Sequence, residues 1–166
     1  LFGMASLLLT LYIPYLIKHF KNKNNFYSVS VKTLLLILGI YIFLIIIVII
    51  ASNILNFEVF EVIKNNKWKF LIYSFFLFLE LNQLIHMEFI MIYNKFPFLY
   101  PTVISGIFIN LSILILGYTG MLTDWAYILS YGLVNLLYNS LYWIKYFKDL
   151  SKINYLKEFK ILLSNN

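Results

Sequence analysis

Between Phe70 and Tyr93 the chain reads FLIYSFFLFLELNQLIHMEFIMIY, and Glu80, Asn82, Gln83, His86 and Glu88 are its hydrogen-bonding and ionisable side chains. Such groups inside an apolar span cost free energy unless they face water, a cavity or a partner, so by default they mark a working site. At about 100° per helical residue, Asn82 and His86 fall one turn apart, with Gln83 beside them. Glu80 lies one turn before Gln83 and borders the same face, whereas Glu88 points elsewhere, toward water or Lys95. The pattern predicts that Glu80, Asn82, Gln83 and His86 line a hydrated cavity, with Glu80 and His86 as its proton-responsive groups. The bland alternative is interhelical hydrogen bonding worth about 1 kcal/mol per group, and it is the better reading for Asn82 or Gln83 taken singly. Glu80 and His86 are six positions apart and no ExxH or HExxH pattern occurs, so no metal site is expected. No paired nucleophile accompanies them, so no catalytic residue is assigned and the chain is not expected to be an enzyme.

A second pattern lies further on. Tyr127, Tyr131, Asn135, Tyr138 and Tyr142 recur at spacings of 4, 4, 3 and 4, with Asn139 next to Asn135 on the same face. Tyr127 and Tyr142 fit an aromatic belt at the two ends of a span. Tyr131, Asn135, Tyr138 and Asn139 sit deeper, where rings that stack on sugars and amides that bond hydroxyls would suit a carbohydrate path. Helix packing is the ordinary explanation for the same stripe. Ser105 and Gly106 are small enough to allow close helix approach.

The elements that hold these residues follow from composition. Of 166 residues, 62% are hydrophobic and 12% charged, and the mean hydropathy is +0.84. A soluble domain carries about twice that charge, so the chain is expected to be an integral membrane protein. There is no cysteine, which excludes disulfides and thiolate metal sites. All 13 basic residues are lysine, and the net charge of +6 reads as loop lysines rather than a nucleic-acid footprint. Five apolar segments, residues 1–17, 33–55, 70–93, 98–118 and 125–147, are expected to be membrane-spanning helices. Residues 1–150 would form this bundle, and residues 151–166 an amphipathic cytoplasmic tail with Ile153, Leu156, Phe159, Leu162 and Leu163 on one side. A frayed polar tail is the alternative. Lys18, Lys21, Lys23, Lys32, Lys95, Lys145, Lys148, Lys152, Lys157 and Lys160 fall on one side of such a bundle, and Lys64, Lys67 and Lys69 on the other. The positive-inside rule then makes the first loop and the C-terminus cytoplasmic. Starting at Leu1 inside an apolar run, with no signal peptide, the sequence reads as a piece of a longer chain.

The run LELNQLIHMEFIMIYNKFPFLYPTVISG, Leu79 to Gly106, resembles the C-terminal half of Wzx-like O-antigen and capsule flippases. These lipid-linked oligosaccharide translocases belong to the multidrug/oligosaccharidyl-lipid/polysaccharide exporter superfamily. The shared features are a helix with a Glu-x-Asn start at Glu80 and Asn82, an Asn-Lys-x-Pro-Phe turn at 94–98, and a Ser-Gly pair at Ser105 and Gly106. YILSYGLVNLLYNSLYWIKYFKDL, Tyr127 to Leu150, is similar to the family's last helix through Gly132, Leu137, Tyr138, Asn139 and Trp143. IPYLIKHFKNKNNFYSVSVKTLLL is similar to a proline-ended helix and the basic loop after it. The resemblance implies an all-α polytopic bundle forming the last five of about twelve spans, in the bacterial inner membrane, with an N-terminal half supplied from elsewhere in the same protein. It further implies flipping of an undecaprenyl-diphosphate-linked oligosaccharide by ion-coupled alternating access, with no cofactor. Glu80, Asn82 and His86 match polar positions of the family's helix. The chain departs from it in having no arginine to pair a diphosphate, and lysine binds phosphate only as a point charge.

Other functions compete with this one. A multidrug exporter of the same superfamily would have a more apolar cavity. A small accessory membrane subunit would start at Met4 and stand alone. A membrane glycosyl- or acyltransferase using His86 or Glu80 would need an HxxxxD-like pattern or an acidic loop, and neither is present.

Overall fold

Long apolar runs without β-breaking alternation dictate helices, because a helix satisfies its backbone groups within one segment. The computed structural model describes residues 2–20, 23–55, 57–97 and 99–164, and among them every regular element is helical. The elements are α1 (Phe2–Phe20), α2 (Lys23–Ile54), α3 (Glu58–Asn65), α4 (Lys67–Ile92), α5 (Leu99–Tyr118), α6 (Asp124–Val134), a π-helical turn (Asn135–Ser140), α7 (Leu141–Ser151) and α8 (Tyr155–Ser164). Leu1, Lys21, Phe98 and residues 165–166, which the sequence pattern assigns to spans, loop or tail, lie outside the described residues.

Among the described residues three helical stretches are long and apolar enough to cross a hydrocarbon core: Phe26–Ile54, Lys67–Ile92 and Tyr100–Tyr118. They coincide with the second, third and fourth expected spans. The expected first and fifth spans fall on α1 and on the path from α6 through α7, which are not among those three. In the fifth case the path is helical throughout from Asp124 to Ser151, with the π-turn dividing it into stretches of 11, 6 and 11 residues. The expected basic loop before the second span is also largely helical. α2 has 32 residues, about 48 Å at 1.5 Å per residue, and its lysine-bearing first turns extend past a hydrocarbon core of about 30 Å. The mixed-charge stretch before α4 likewise holds a helix, α3, none of whose side chains is buried.

The core forms where α1, α2, α4 and α7 converge. Leu9 and Leu16 of α1, Phe26, Ile37 and Tyr41 of α2, Leu81, Ile85, Phe89 and Ile90 of α4, and Trp143 and Phe147 of α7 are essentially sealed from solvent. Aromatic rings gather at one end: Phe20 and Tyr93 meet edge-on at 4.8 Å, and Tyr93 and Phe147 at 6.3 Å. At the other end Lys67 bonds Asn53 at 3.0 Å and Lys69 pairs with Asp124 at 2.9 Å. The helices therefore carry Lys18, Lys95, Lys145, Lys148 and Lys152 to one end, and Lys64, Lys67 and Lys69 to the opposite one. These are five of the ten lysines expected on one side and the three expected on the other. The Lys69 ammonium donates to Asp124 and attracts it, holding that exposed carboxyl below its ordinary value. The tie is present above the unfolded carboxyl pKa and is lost as pH falls through the depressed folded value; in so exposed a place salt screens it.

The expected close approach at Ser105 and Gly106 takes a different form. Ser105 is buried, yet a Cβ added at Gly106 would meet nothing within 4 Å. The tight contact is at Gly132 of α6, where the Phe76 ring of α4 occupies the space a Cβ would need. We expect Gly132→Ala to lower stability by about 1–3 kcal/mol through overpacking, while Gly106→Ala leaves it unchanged or slightly higher, since alanine is the better helix former. Thermal unfolding of the two purified variants measures the difference.

Candidate functional site

α4 carries the polar residues because its flanks supply enough apolar surface to bury them, and its neighbours fix where each one goes. The pairs Phe76–Gly132, Leu79–Ser140 and Phe89–Phe147 advance together along the chain, so α4 and the path from α6 to α7 run side by side in the same direction. Glu80 accepts a hydrogen bond from the Tyr131 hydroxyl of α6. Two further tyrosines lie within electrostatic reach of this pair, Tyr73 of α4 and Tyr41 of α2. Tyr41 is fully buried and donates to the Ser74 carbonyl at 3.1 Å. The carboxylate thus sits among phenols drawn from three helices. Phenol O–H groups are donors that can hold a carboxylate in low dielectric.

His86 looks another way. It is 1% exposed, with Nδ1 2.7 Å from the Asn82 carbonyl and Nε2 2.8 Å from the Tyr155 hydroxyl of α8. A carbonyl can only accept, so Nδ1 carries the proton and Nε2 is free to accept from Tyr155. Burial, and after it the nearby Tyr93, hold the Tyr155 phenol well above its ordinary value, which keeps it the donor. Asn82 and His86 border a cleft of about 340 Å³ together with Val31, Leu34, Tyr155 and Phe159. Glu80 is not among the residues lining it. The expected single wall of Glu80, Asn82, Gln83 and His86 is therefore divided: Glu80 turns to α6, and Asn82 and His86 turn to α8. Gln83 reaches Met87 Sδ at 3.8 Å, and its side-chain oxygen is buried without a partner among the described residues. Glu88 is half-buried, and no ion pair joins it to Lys95 among the described residues.

The Tyr/Asn stripe also divides, and the π-turn is the cause. A π-turn inserts a residue into the helical path and rotates every later side chain about the helix axis. Asn135, Asn139 and Ser140 all turn inward and are buried. Asn139 donates to Asn135 at 2.8 Å, its own side-chain oxygen is buried without a partner among the described residues, and Ser140 reaches the Leu79 carbonyl at 3.4 Å. Tyr138 instead stacks on Tyr142 at 6.0 Å, and Tyr142 on Tyr146 at 5.9 Å. Tyr127 borders a separate cleft of about 540 Å³ with Tyr73, Thr123 and Asp124. Spacing computed for an unbroken α-helix cannot foresee this split.

Tyr41, Tyr73 and Tyr155 did not stand out in the sequence. The available signal was position: Tyr41 lies in the middle of the most apolar run, far from any belt, where a phenol needs a polar partner. No group of three His, Asp or Glu side chains that could hold a metal comes together among the described residues. Compared with known proteins, the chain matches no family, no curated protein and no solved structure.

Removing the Tyr155 hydroxyl leaves a buried imidazole nitrogen unsatisfied, a cost of about 1–3 kcal/mol. We expect Tyr155→Phe to loosen α8, so that trypsin cuts faster at Lys157 and Lys160. The double variant Tyr155→Phe/His86→Leu, which removes both polar partners, should recover part of the protection.

Proposed function

We propose that this chain is the membrane-embedded C-terminal portion of a translocase that moves a polyprenyl-diphosphate-linked oligosaccharide across the bacterial inner membrane. The reading rests on one observation above the others. A carboxylate accepts a hydrogen bond from Tyr131 of a neighbouring helix, with Tyr73 and Tyr41 within electrostatic reach, inside a bundle whose outward faces, such as Phe43, Ile46 and Ile50 on α2 and Ile107, Phe108 and Leu111 on α5, are exposed and apolar. Exposed apolar faces of this extent fit contact with lipid, and an ionisable group within such a bundle is the ordinary mark of a transport path. The resemblance of residues 79–106 and 127–150 to oligosaccharide flippases selects the cargo. Tyr131, which bonds the carboxylate, and the amide pair Asn135 and Asn139 further along the same helical path are of the types that stack against sugar rings and bond their hydroxyls.

In this mechanism Glu80 exchanges its Tyr131 donor for a proton or a cargo hydroxyl as the bundle changes access. The cationic partner of the diphosphate comes from lysines or from the portion of the protein that precedes this one. His86, sealed against α8, responds to movement of that helix and does not touch the sugar.

The test is complementation of surface polysaccharide in cells lacking their own flippase, using the full-length parent protein. We expect Glu80→Gln to reduce surface polysaccharide about tenfold or more, equivalent to about 1.4 kcal/mol in transport, at an unchanged membrane level of the protein. His86→Ala should reduce it less. Full polysaccharide from both variants would mean that these groups serve packing alone.

A further inference from the structure

Two clefts share Ile144, Tyr155 and Leu156 where α7 turns into α8. One, about 700 Å³, carries Lys148, Lys152 and Asn154, with Asp149 as its lone carboxylate. Lys148 and Lys152 are one helical turn apart, and Lys152 adopts a left-handed backbone (φ 57°) that reverses the chain into α8. The other cleft, about 340 Å³, passes inward between α2, α4 and α8 along Val31, Leu34, Leu35 and Phe159. Both volumes fall in the range of about 300–1,000 Å³ common to small-molecule sites. Side by side they offer a cationic mouth and an arm that is apolar apart from Asn82, His86 and the shared Tyr155. The apolar arm is continuous with outward-facing Leu35 and Leu36 of α2 and with exposed Leu156 and Phe159 of α8.

We propose that this groove is a resident site for one anionic phospholipid. Its phosphate sits between the Lys148 and Lys152 ammonium groups, and an acyl chain lies along Leu34, Leu35 and Phe159. A soluble anion would use only the mouth and leave the apolar arm wet. An apolar peptide would leave the two lysines unpaired. A lipid with a cationic headgroup would meet two lysines against one carboxylate. An amphiphile with one anionic head and a chain satisfies both parts, and clustered lysines beside a bilayer attract anionic lipid by about 1 kcal/mol each. A lipid seated here also wedges α8 against α2, next to the tie of α2 to the end of α7, where the Tyr27 hydroxyl donates to the Ser151 carbonyl. The site requires that the chain reside in a bilayer and does not depend on what the protein transports.

Native mass spectrometry of the full-length protein in mild detergent tests it, with phosphatidylglycerol or phosphatidylcholine of identical chains added in turn. The expected result is retention of one phosphatidylglycerol about tenfold more tightly than phosphatidylcholine. Lys148→Gln/Lys152→Gln should abolish that preference, and Lys69→Gln, at the opposite end of the bundle, should keep it. Equal retention of the two lipids, or a preference that survives the double substitution, overturns the site. Displacement by inorganic phosphate overturns the lipid assignment in favour of a simple anion site. Displacement by an equimolar short-chain polyprenyl diphosphate overturns the resident-lipid assignment and makes the groove a cargo entrance.

Discussion

A carboxylate on α4 surrounded by apolar helices is the constraint on which the rest of the arrangement depends. Left without donors in low dielectric, such a group costs several kcal/mol, more than any single helix contact returns. The Tyr131 hydroxyl supplies the donor, and it can do so only if α6 runs beside α4. The bare backbone of Gly132, against which the Phe76 ring lies, permits that approach. A little further along the same path the turn toward Asn135 and Asn139 begins, and their mutual bond occupies the next stretch of the seam. Packing and polar satisfaction therefore solve the same problem with neighbouring residues.

A second seam solves the corresponding problem for His86, through α8. Its imidazole is satisfied on one side by its own helix and on the other by Tyr155. The tail is thereby tied to the bundle, and Ile153 is 2% exposed although it belongs to the segment expected to rest on a membrane surface. Leu156 and Leu163 of the same segment are largely exposed. α8 thus ties part of its surface to the bundle and leaves part exposed, which places a lysine rim and apolar side chains at its base. Electrostatics at that end is set by exposed lysines, and at the other by the Lys69–Asp124 pair.

The helices and the polar cluster were legible in the sequence because they depend on local composition and on periodicity. Residues 33–55, 70–93 and 98–118 needed only length and hydropathy, and α2, α4 and α5 include all of them apart from a few end residues. The partners of the cluster were not legible. Glu80 and His86 are separated by 120° on a regular helix when six residues are counted at about 100° each, and only the placement of α6 and α8 shows that this separation sends them to different neighbours. The stripe from Tyr127 to Tyr142 failed as a single face for another reason: its last two members lie beyond the start of a π-turn, and no side-chain pattern distinguishes i→i+5 bonding from i→i+4. Tyr155 was hidden because it lies in a short tail whose other apolar residues dominate the pattern. For Glu80, His86 and Tyr155 the missing information was tertiary, and for the stripe it was the local change of backbone bonding.

Transport of a lipid-linked oligosaccharide is measured most directly in sealed vesicles holding the purified full-length protein and a fluorescent polyprenyl-diphosphate oligosaccharide. A membrane-impermeant quencher then reports how much label has left the outer leaflet. A protein that works as proposed carries label to the inner leaflet faster than empty vesicles do, and Glu80→Gln slows it to the empty-vesicle rate. Equal rates with and without the unmodified protein would contradict a translocase, and would leave the phenol-held carboxylate of α4 as a device of packing only.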